Sequence, residues 1–131
     1  MILVVDDDPR VVDTLTIWLK GAGYEVETAS DGGLAYDAVR SPECECMVLD
    51  INMPNFNGPS LLLILQAEGT HVPVIVITGE TGFSREEMQQ FENVVAFFEK
   101  PVDAGVFMEA VKRTRSSERG SRKERHEKGQ P

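Results

Sequence analysis

Only two of the 131 residues are cysteine, Cys44 and Cys46, and they lie two apart. Residues so close in one segment rarely reach disulfide geometry, and no second pair is present to complete a zinc site. A disulfide scaffold and a structural zinc centre are therefore excluded, and the thiols read as reduced, as in a cytoplasmic protein. No apolar run approaches the roughly 20 residues of a membrane helix. No basic stretch leads into an apolar one, so no secretory signal is expected. Positive charge is scarce where the apolar residues are. Residues 1–111 hold 19 of the 22 acids but only 5 of the 13 basic residues, a balance of −14. Such a body does not bind nucleic acid by itself. The remaining 20 residues balance +5 and contain no large apolar residue after Val111, so they have nothing to bury. That end reads in three ways: a linker to an output domain, a solubilising end, or a contact for nucleic acid or an acidic partner.

Hydrophobic residues make up 41% of the chain, enough for one domain with a packed core and too short for two. Its organising stretch is Met47-Val48-Leu49-Asp50-Ile51-Asn52-Met53-Pro54. An apolar run there ends abruptly in one carboxylate and a turn, as a buried parallel strand does at the edge of its sheet. Ile2-Leu3-Val4-Val5 ends likewise in Asp6-Asp7-Asp8, Val74-Ile75-Val76-Ile77 in Thr78, and Val94 to Phe98 in Lys100-Pro101. Tyr24 to Thr28 alternates and reads as a further strand.

Helical spacing separates these strands. Pro9, with Asp8 as N-cap, opens a helix carrying Val11, Val12, Leu15, Trp18 and Leu19, which Gly21 and Gly23 end. Asp31-Gly32-Gly33 is expected to turn the chain into a helix with Leu34, Ala35, Ala38 and Val39 inward. Pro54 to Gly58 reads as a loop. The five apolar residues from Leu61 to Leu65 predict a deeply buried helix. Ser84 and Glu87 form a capping box for a short polar helix to Phe91. Asp103 caps a last helix with Val106, Phe107, Ala110 and Val111 on one side. Strands joined by helices pair in parallel with right-handed crossovers. The expected fold is α/β, a flavodoxin-like doubly wound five-stranded parallel sheet, (βα)5, over residues 1–115, with a basic tail over 116–131.

In that fold Asp6, Asp7 and Asp50 meet at the carboxyl ends of neighbouring strands. Three close carboxylates repel one another, which raises a pKa unless a cation is present. A hard divalent ion such as Mg2+ or Mn2+ suits an all-oxygen site and keeps room for a phosphoryl oxygen. Lys100 offers a point charge and Thr78 a hydroxyl for further phosphoryl oxygens. A carboxylate can itself be the nucleophile. The parts match phosphoryl transfer to an aspartate.

The segments Val4-Val5-Asp6-Asp7, Leu49-Asp50-Ile51-Asn52-Met53-Pro54, Gly58, Val76-Ile77-Thr78-Gly79 and Phe97-Phe98-Glu99-Lys100-Pro101, in this order and spacing, resemble a response-regulator receiver domain of the chemotaxis-regulator type. The likeness runs from Ile2 to about Val111. It implies that Asp50 is the phosphoacceptor, Asp7 the direct metal ligand and Asp6 one acting mainly through water. It gives the Asn52 backbone carbonyl to the metal, Thr78 and Phe97 to the switch, and Lys100 to the phosphoryl group, with a cis bond to Pro101. Asn52 and Glu80 stand where phosphoryl lifetime is tuned. The implied partners are a histidine kinase or phosphotransfer protein and an output domain or downstream protein on the last-helix face, with a phosphorylation-dependent homodimer also possible in such families. The implied role is signalling, not metabolic catalysis. Asn57 and the Glu92-Asn93-Val94 turn depart from the common pattern.

Two rivals share parts of the pattern. A pseudo-receiver works without phosphate, and the intact acids, Thr78 and Lys100 argue against it. A haloacid-dehalogenase-like phosphatase needs a second aspartate two residues after the nucleophile, where Asn52 stands. Neither acidic segment is an EF-hand loop, since Pro54 and Leu61 occupy ligand positions counted from Asp50. His71 reads as a loop residue rather than a phosphodonor.

Overall fold

The computed structural model describes residues 1–53, 57–79 and 85–114. Five strands, β1 (Ile2–Val5), β2 (Val26–Ala29), β3 (Cys46–Asp50), β4 (Val74–Thr78) and β5 (Val94–Glu99), form one sheet in the order β2-β1-β3-β4-β5. Every pairing is parallel. The reversal of strand order beside β1 makes the sheet doubly wound and of flavodoxin-like topology, as expected.

Helices cover both faces. On one face α1 (Pro9–Gly21) and a last helix, α5 (residues 104–114), enclose a layer containing Ile2, Val4, Leu15, Leu19, Val48, Ile75, Ile77, Phe107 and Val111. On the other, α2 (Gly32–Val39), α3 (Gly58–Ala67) and α4 (Arg85–Met88) enclose a layer with Leu3, Val5, Met47, Leu49, Leu62, Val76 and Phe97. Alternate residues of each strand feed opposite layers, so β1, β3 and β4 are buried throughout and read as unbroken apolar runs.

Local chemistry sets the helix starts. Asp8 accepts a hydrogen bond from the Arg10 N–H at 2.9 Å ahead of Pro9. Asp31 accepts from Leu34 N–H at 2.9 Å, Asn57 from Ser60 N–H at 3.0 Å, and Asp103 from Val106 N–H at 3.0 Å. Each side chain satisfies one donor that a helix leaves unpaired. Gly23 follows α1 at φ 92° and Gly69 follows α3 at φ 76°, the left-handed conformation that glycine tolerates.

Several expectations need correction. Asp31-Gly32-Gly33 is not a turn: both glycines lie inside α2 because Asp31 caps it directly. Strand β2 begins at Val26, since the Tyr24 N–H donates to the Leu19 carbonyl at 3.1 Å and closes the end of α1. Gly58 belongs to α3, and Pro54, Asn55 and Phe56 of the expected loop lie outside the described residues. Within α3, Leu61, Leu62 and Leu65 are buried but Leu63 and Ile64 are exposed. Five consecutive residues span more than a full turn, so they cannot all face a sheet. Leu34 and Val106 are likewise exposed, on the outer sides of α2 and α5. Helix α4 ends at Met88, three residues early. Turns follow it, with Phe91 N–H donating to the Met88 carbonyl and Val94 N–H to that of Phe91. Ser84, half of the proposed capping box, lies outside the described residues.

Two features position the site. At Gly58 a Cβ would come within 2.5 Å of Ile51 Cδ1 and 3.2 Å of Ile51 Cα, so this helix start rests directly on the residue after Asp50. At the sheet edge, Val74 pairs with Val94 but Ile75 pairs with Ala96, so Val95 is an extra, bulged residue of β5.

Candidate phosphoacceptor site at the carboxyl edge of the sheet

Asp6 and Asp7 follow β1, Asp50 and Thr78 end β3 and β4, and Lys100 follows β5. Parallel pairing brings these ends to one edge. Asp6 and Asp50 are 3% and 4% exposed, Thr78 is buried, and Asp7 is open to solvent. One carboxylate oxygen from each of Asp6, Asp7 and Asp50 lies within 4.8 Å of the other two.

Each buried carboxylate meets a nearby backbone N–H and Lys100. One Asp6 oxygen accepts from the Asp8 N–H at 2.9 Å, and one Asp50 oxygen accepts from the Asn52 N–H at 3.0 Å. The second oxygens face Lys100, whose Nζ lies 3.1 Å from Asp6 Oδ2 and 3.2 Å from Asp50 Oδ2. The lysine thus bridges β1 and β3 from beyond β5. Its backbone N–H donates to the Thr78 carbonyl at 2.8 Å, which fastens the start of its loop to β4. The following Lys100–Pro101 bond is cis.

The electrostatics follow from that geometry. Burial pushes the Asp6 carboxyl above its ordinary value and the Asp50 charge adds to the rise, while the Asp8 N–H and Lys100 oppose it. Repulsion among the acids was expected to be the cause, but desolvation is the larger effect. For Lys100 burial works downward, yet its bond to Asp6 and the charges of Asp50 and Asp6 outweigh that, and its pKa lies above the ordinary value. Three carboxylates against one ammonium leave a local charge of −2. All the side-chain donors are hard oxygens, so the cluster could hold one divalent cation of the Mg2+ or Mn2+ kind. The thiols take no part. Cys44 and Cys46 are buried in the core, and burial pushes Cys44 up to about 11.

The sequence placed Asp6, Asp7, Asp50, Thr78 and Lys100 together, and the fold does so too. Phe97 is buried in the layer under α2–α4, in register with Val76, while Phe98 faces the other layer and meets Phe107 edge-on at 6.3 Å. Glu80 lies outside the described residues. Unforeseen was a bond between Asn52 and Thr78: the Asn52 side-chain amide donates to the Thr78 hydroxyl. Thr78 ends β4 and Asn52 lies two residues past β3, and the bond between them depends on the register that sets Asp50 beside Ile77, which the sequence does not carry. The tight seat of Gly58 on Ile51 was also missed.

Comparison with known proteins gives one answer. Residues 2–112 match the family described as "Response regulator receiver domain". The DNA-binding response regulator MtrA of Mycolicibacterium smegmatis is 39% identical over 80 residues, 61% of this chain and 35% of that protein. The transcriptional regulatory protein FixJ of Azorhizobium caulinodans is 33% identical over 119 residues, 89% of this chain and 56% of that protein. The chain thus spans about a third to about half the length of these relatives. Among solved structures, a CheY-like receiver domain protein from Methanospirillum hungatei superposes with a TM-score of 0.81 at 25% identity, covering 92% of this chain and 96% of that one. With its acids, hydroxyl and lysine gathered at one sheet edge and the family match running over almost all of the described residues, this chain belongs to the response regulator receiver domain family.

Proposed function

We propose that this receiver accepts a phosphoryl group on Asp50 from a phosphohistidine of a histidine kinase or phosphotransfer protein. Receiver domains are signalling modules, and the chemistry of this one would be the gain and loss of its own phosphoryl group. An Asp50 oxygen attacks phosphorus, a P–O bond forms, the P–N bond breaks and the leaving imidazole takes up a proton. Asp6, Asp7, Asp50 and the Asn52 carbonyl would hold Mg2+, which supplies charge neutralisation for the phosphoryl oxygens. Lys100 balances a second phosphoryl oxygen, and Thr78 donates to a third. Loss of the group is hydrolysis, and Asn52 and Glu80, at the positions where the receiver resemblance puts control of phosphoryl lifetime, would help to place the attacking water.

The observation that carries this reading is the Lys100 ammonium held 3.1 Å and 3.2 Å from the two buried acids, Asp6 and Asp50. A charged group poised between carboxylates at a sheet edge serves phosphate chemistry better than stability, because desolvation offsets much of its Coulomb gain. Output would follow when Thr78 moves to the phosphoryl group and Phe97 rotates into the space, shifting an existing equilibrium. The receiving surface is the groove between β5 and α5, lined by Val95, Ala96, Val106, Glu109 and Arg113 among others. Val95 and Val106 are each more than half exposed there. An output domain, a downstream protein or a second phosphorylated copy would dock on it. Residues 1–115 form the working unit, with 116–131 a basic tail or linker, and the setting is the cytoplasm. No helix among the described residues is long and apolar enough to cross a membrane.

Incubation with Mg2+ and acetyl phosphate, followed by intact mass, tests the proposal. The parent should gain one phosphoryl group only with Mg2+, and Asp50→Ala should gain none. No gain in the parent, together with no binding of fluoroberyllate, would overturn it.

A further inference from the structure

Asn52 touches both halves of the proposed switch. Its backbone N–H donates to Asp50 Oδ1 at 3.0 Å, and its side-chain amide donates to the Thr78 hydroxyl. Thr78 is 3% exposed at the end of β4, whereas Asn52 is exposed on the turn after β3. A solvent-facing amide has water as an alternative partner, yet here it reaches inward to a buried hydroxyl on the neighbouring strand. The turn that carries it is itself fixed, since Ile51 N–H donates to the Ile77 carbonyl at 3.0 Å and Ile51 is wedged under Gly58. The amide therefore hangs from a rigid support.

We infer that Asn52 is a positioning residue that holds the Thr78 hydroxyl in its resting place and so weights the switch toward its unphosphorylated state. This inference rests on the proposed phosphorylation of Asp50. The hydroxyl accepts from Asn52 and would donate to a phosphoryl oxygen, so the two bonds use different sites on it; the bond to Asn52 is lost because the hydroxyl leaves its resting place, and that loss is subtracted from the binding that drives the change. A ligand of the active state then binds with an affinity reduced by the small fraction of molecules already in that state. The effect is on the resting population, which separates it from any influence of Asn52 on hydrolysis, a rate.

Fluoroberyllate with Mg2+ is the probe, titrated into the full chain and followed by the backbone amide shifts of Thr78, Gly79 and Phe97. In Asn52→Ala the ligand-free shifts should move along the line toward the saturated parent, and fluoroberyllate should bind about three-fold more tightly, the low end for one hydrogen bond because the amide is exposed. In a Thr78→Ala background the same substitution should have no effect on the resting shifts, which a general loosening of the turn would not reproduce. Fluoroberyllate binding to the parent with unchanged resting shifts and affinity in Asn52→Ala would overturn the latch and leave the phosphoacceptor reading standing. An Asn52→Ala effect that survives in the Thr78→Ala background would also overturn it. Failure of the parent to bind fluoroberyllate would overturn both.

Discussion

Strands β3 and β5 both deliver a charged group to the site, yet they are built differently. β3 lies in the middle of the sheet and is buried at all five positions, up to and including Asp50. β5 is an edge strand with β4 as its one neighbour, carries a bulge at Val95, and leaves several positions half-exposed or exposed before Lys100. Asp50, the proposed phosphoacceptor, therefore stands at the end of a central strand that is buried throughout. Phe97 stands on an edge strand with half-exposed positions and Lys100 just beyond it, where local opening costs less than in the centre of the sheet. A receiver needs a fixed point of attack and a surface able to respond, and the two strands divide those demands.

Four substitutions test that division. The largest effect is expected from Leu49→Ala, which empties a fully buried position of β3 and should lower unfolding free energy by about 2–5 kcal/mol in urea titration. Next comes Gly58→Ala. Its methyl would meet Ile51 Cδ1 at 2.5 Å, and overpacking of this kind costs about 1–3 kcal/mol, more than the alanine regains in helix propensity. Adding Ile51→Val, which removes that Cδ1, should return part of the loss; no recovery would show that the end of β3 is not held by this contact.

Lys100→Ala should cost about 1–2 kcal/mol at pH 7 without divalent ions, less than a fully buried pair because the lysine is partly exposed. The loss should shrink on acidification. Burial already raises Asp6 above its ordinary pKa, and removing the ammonium raises it further. Between the unfolded and folded pKa values the folded protein then holds the extra proton, so stability falls as pH rises through that window and is regained as pH drops. A loss independent of pH would mean that Lys100 acts by packing alone. The smallest effect is expected from Val95→Ala, under about 0.5 kcal/mol for an exposed residue of the bulge. A cost equal to that of Leu49→Ala would erase the contrast between centre and edge.

The same contrast explains what could be read from the sequence. β1, β3 and β4 were legible because burial on both faces leaves only apolar residues until a charge or hydroxyl marks the edge. The caps at Asp8 and Asp103 were legible because one side chain and one N–H settle them locally. Leu34, Leu63, Ile64 and Val106 were misplaced because the direction a helix faces depends on its neighbours, and an apolar residue on the outside looks no different in a sequence. The early end of α4 was hidden for a similar reason. Met88 and Phe91 are both buried at a spacing of three, and a helix or a pair of turns can do that. Among the site residues, the acids, Thr78 and Lys100 each end a strand and could be found. The Asn52–Thr78 bond could not, because it depends on strand register and on which way one amide turns.

The two thiols, unused by the site, have a practical consequence. Alkylating reagents attack a thiolate they can reach. Cys44 is buried and its thiol donates toward the Cys46 carbonyl, with its pKa pushed up to about 11, while Cys46 is fully buried in β3. Both stay silent toward a maleimide at neutral pH while the protein is folded. A single Val95→Cys or Val106→Cys substitution would therefore take one fluorophore in the β5–α5 groove with no native cysteine to remove first, so the unaltered core leaves the proposed output surface open to optical readout.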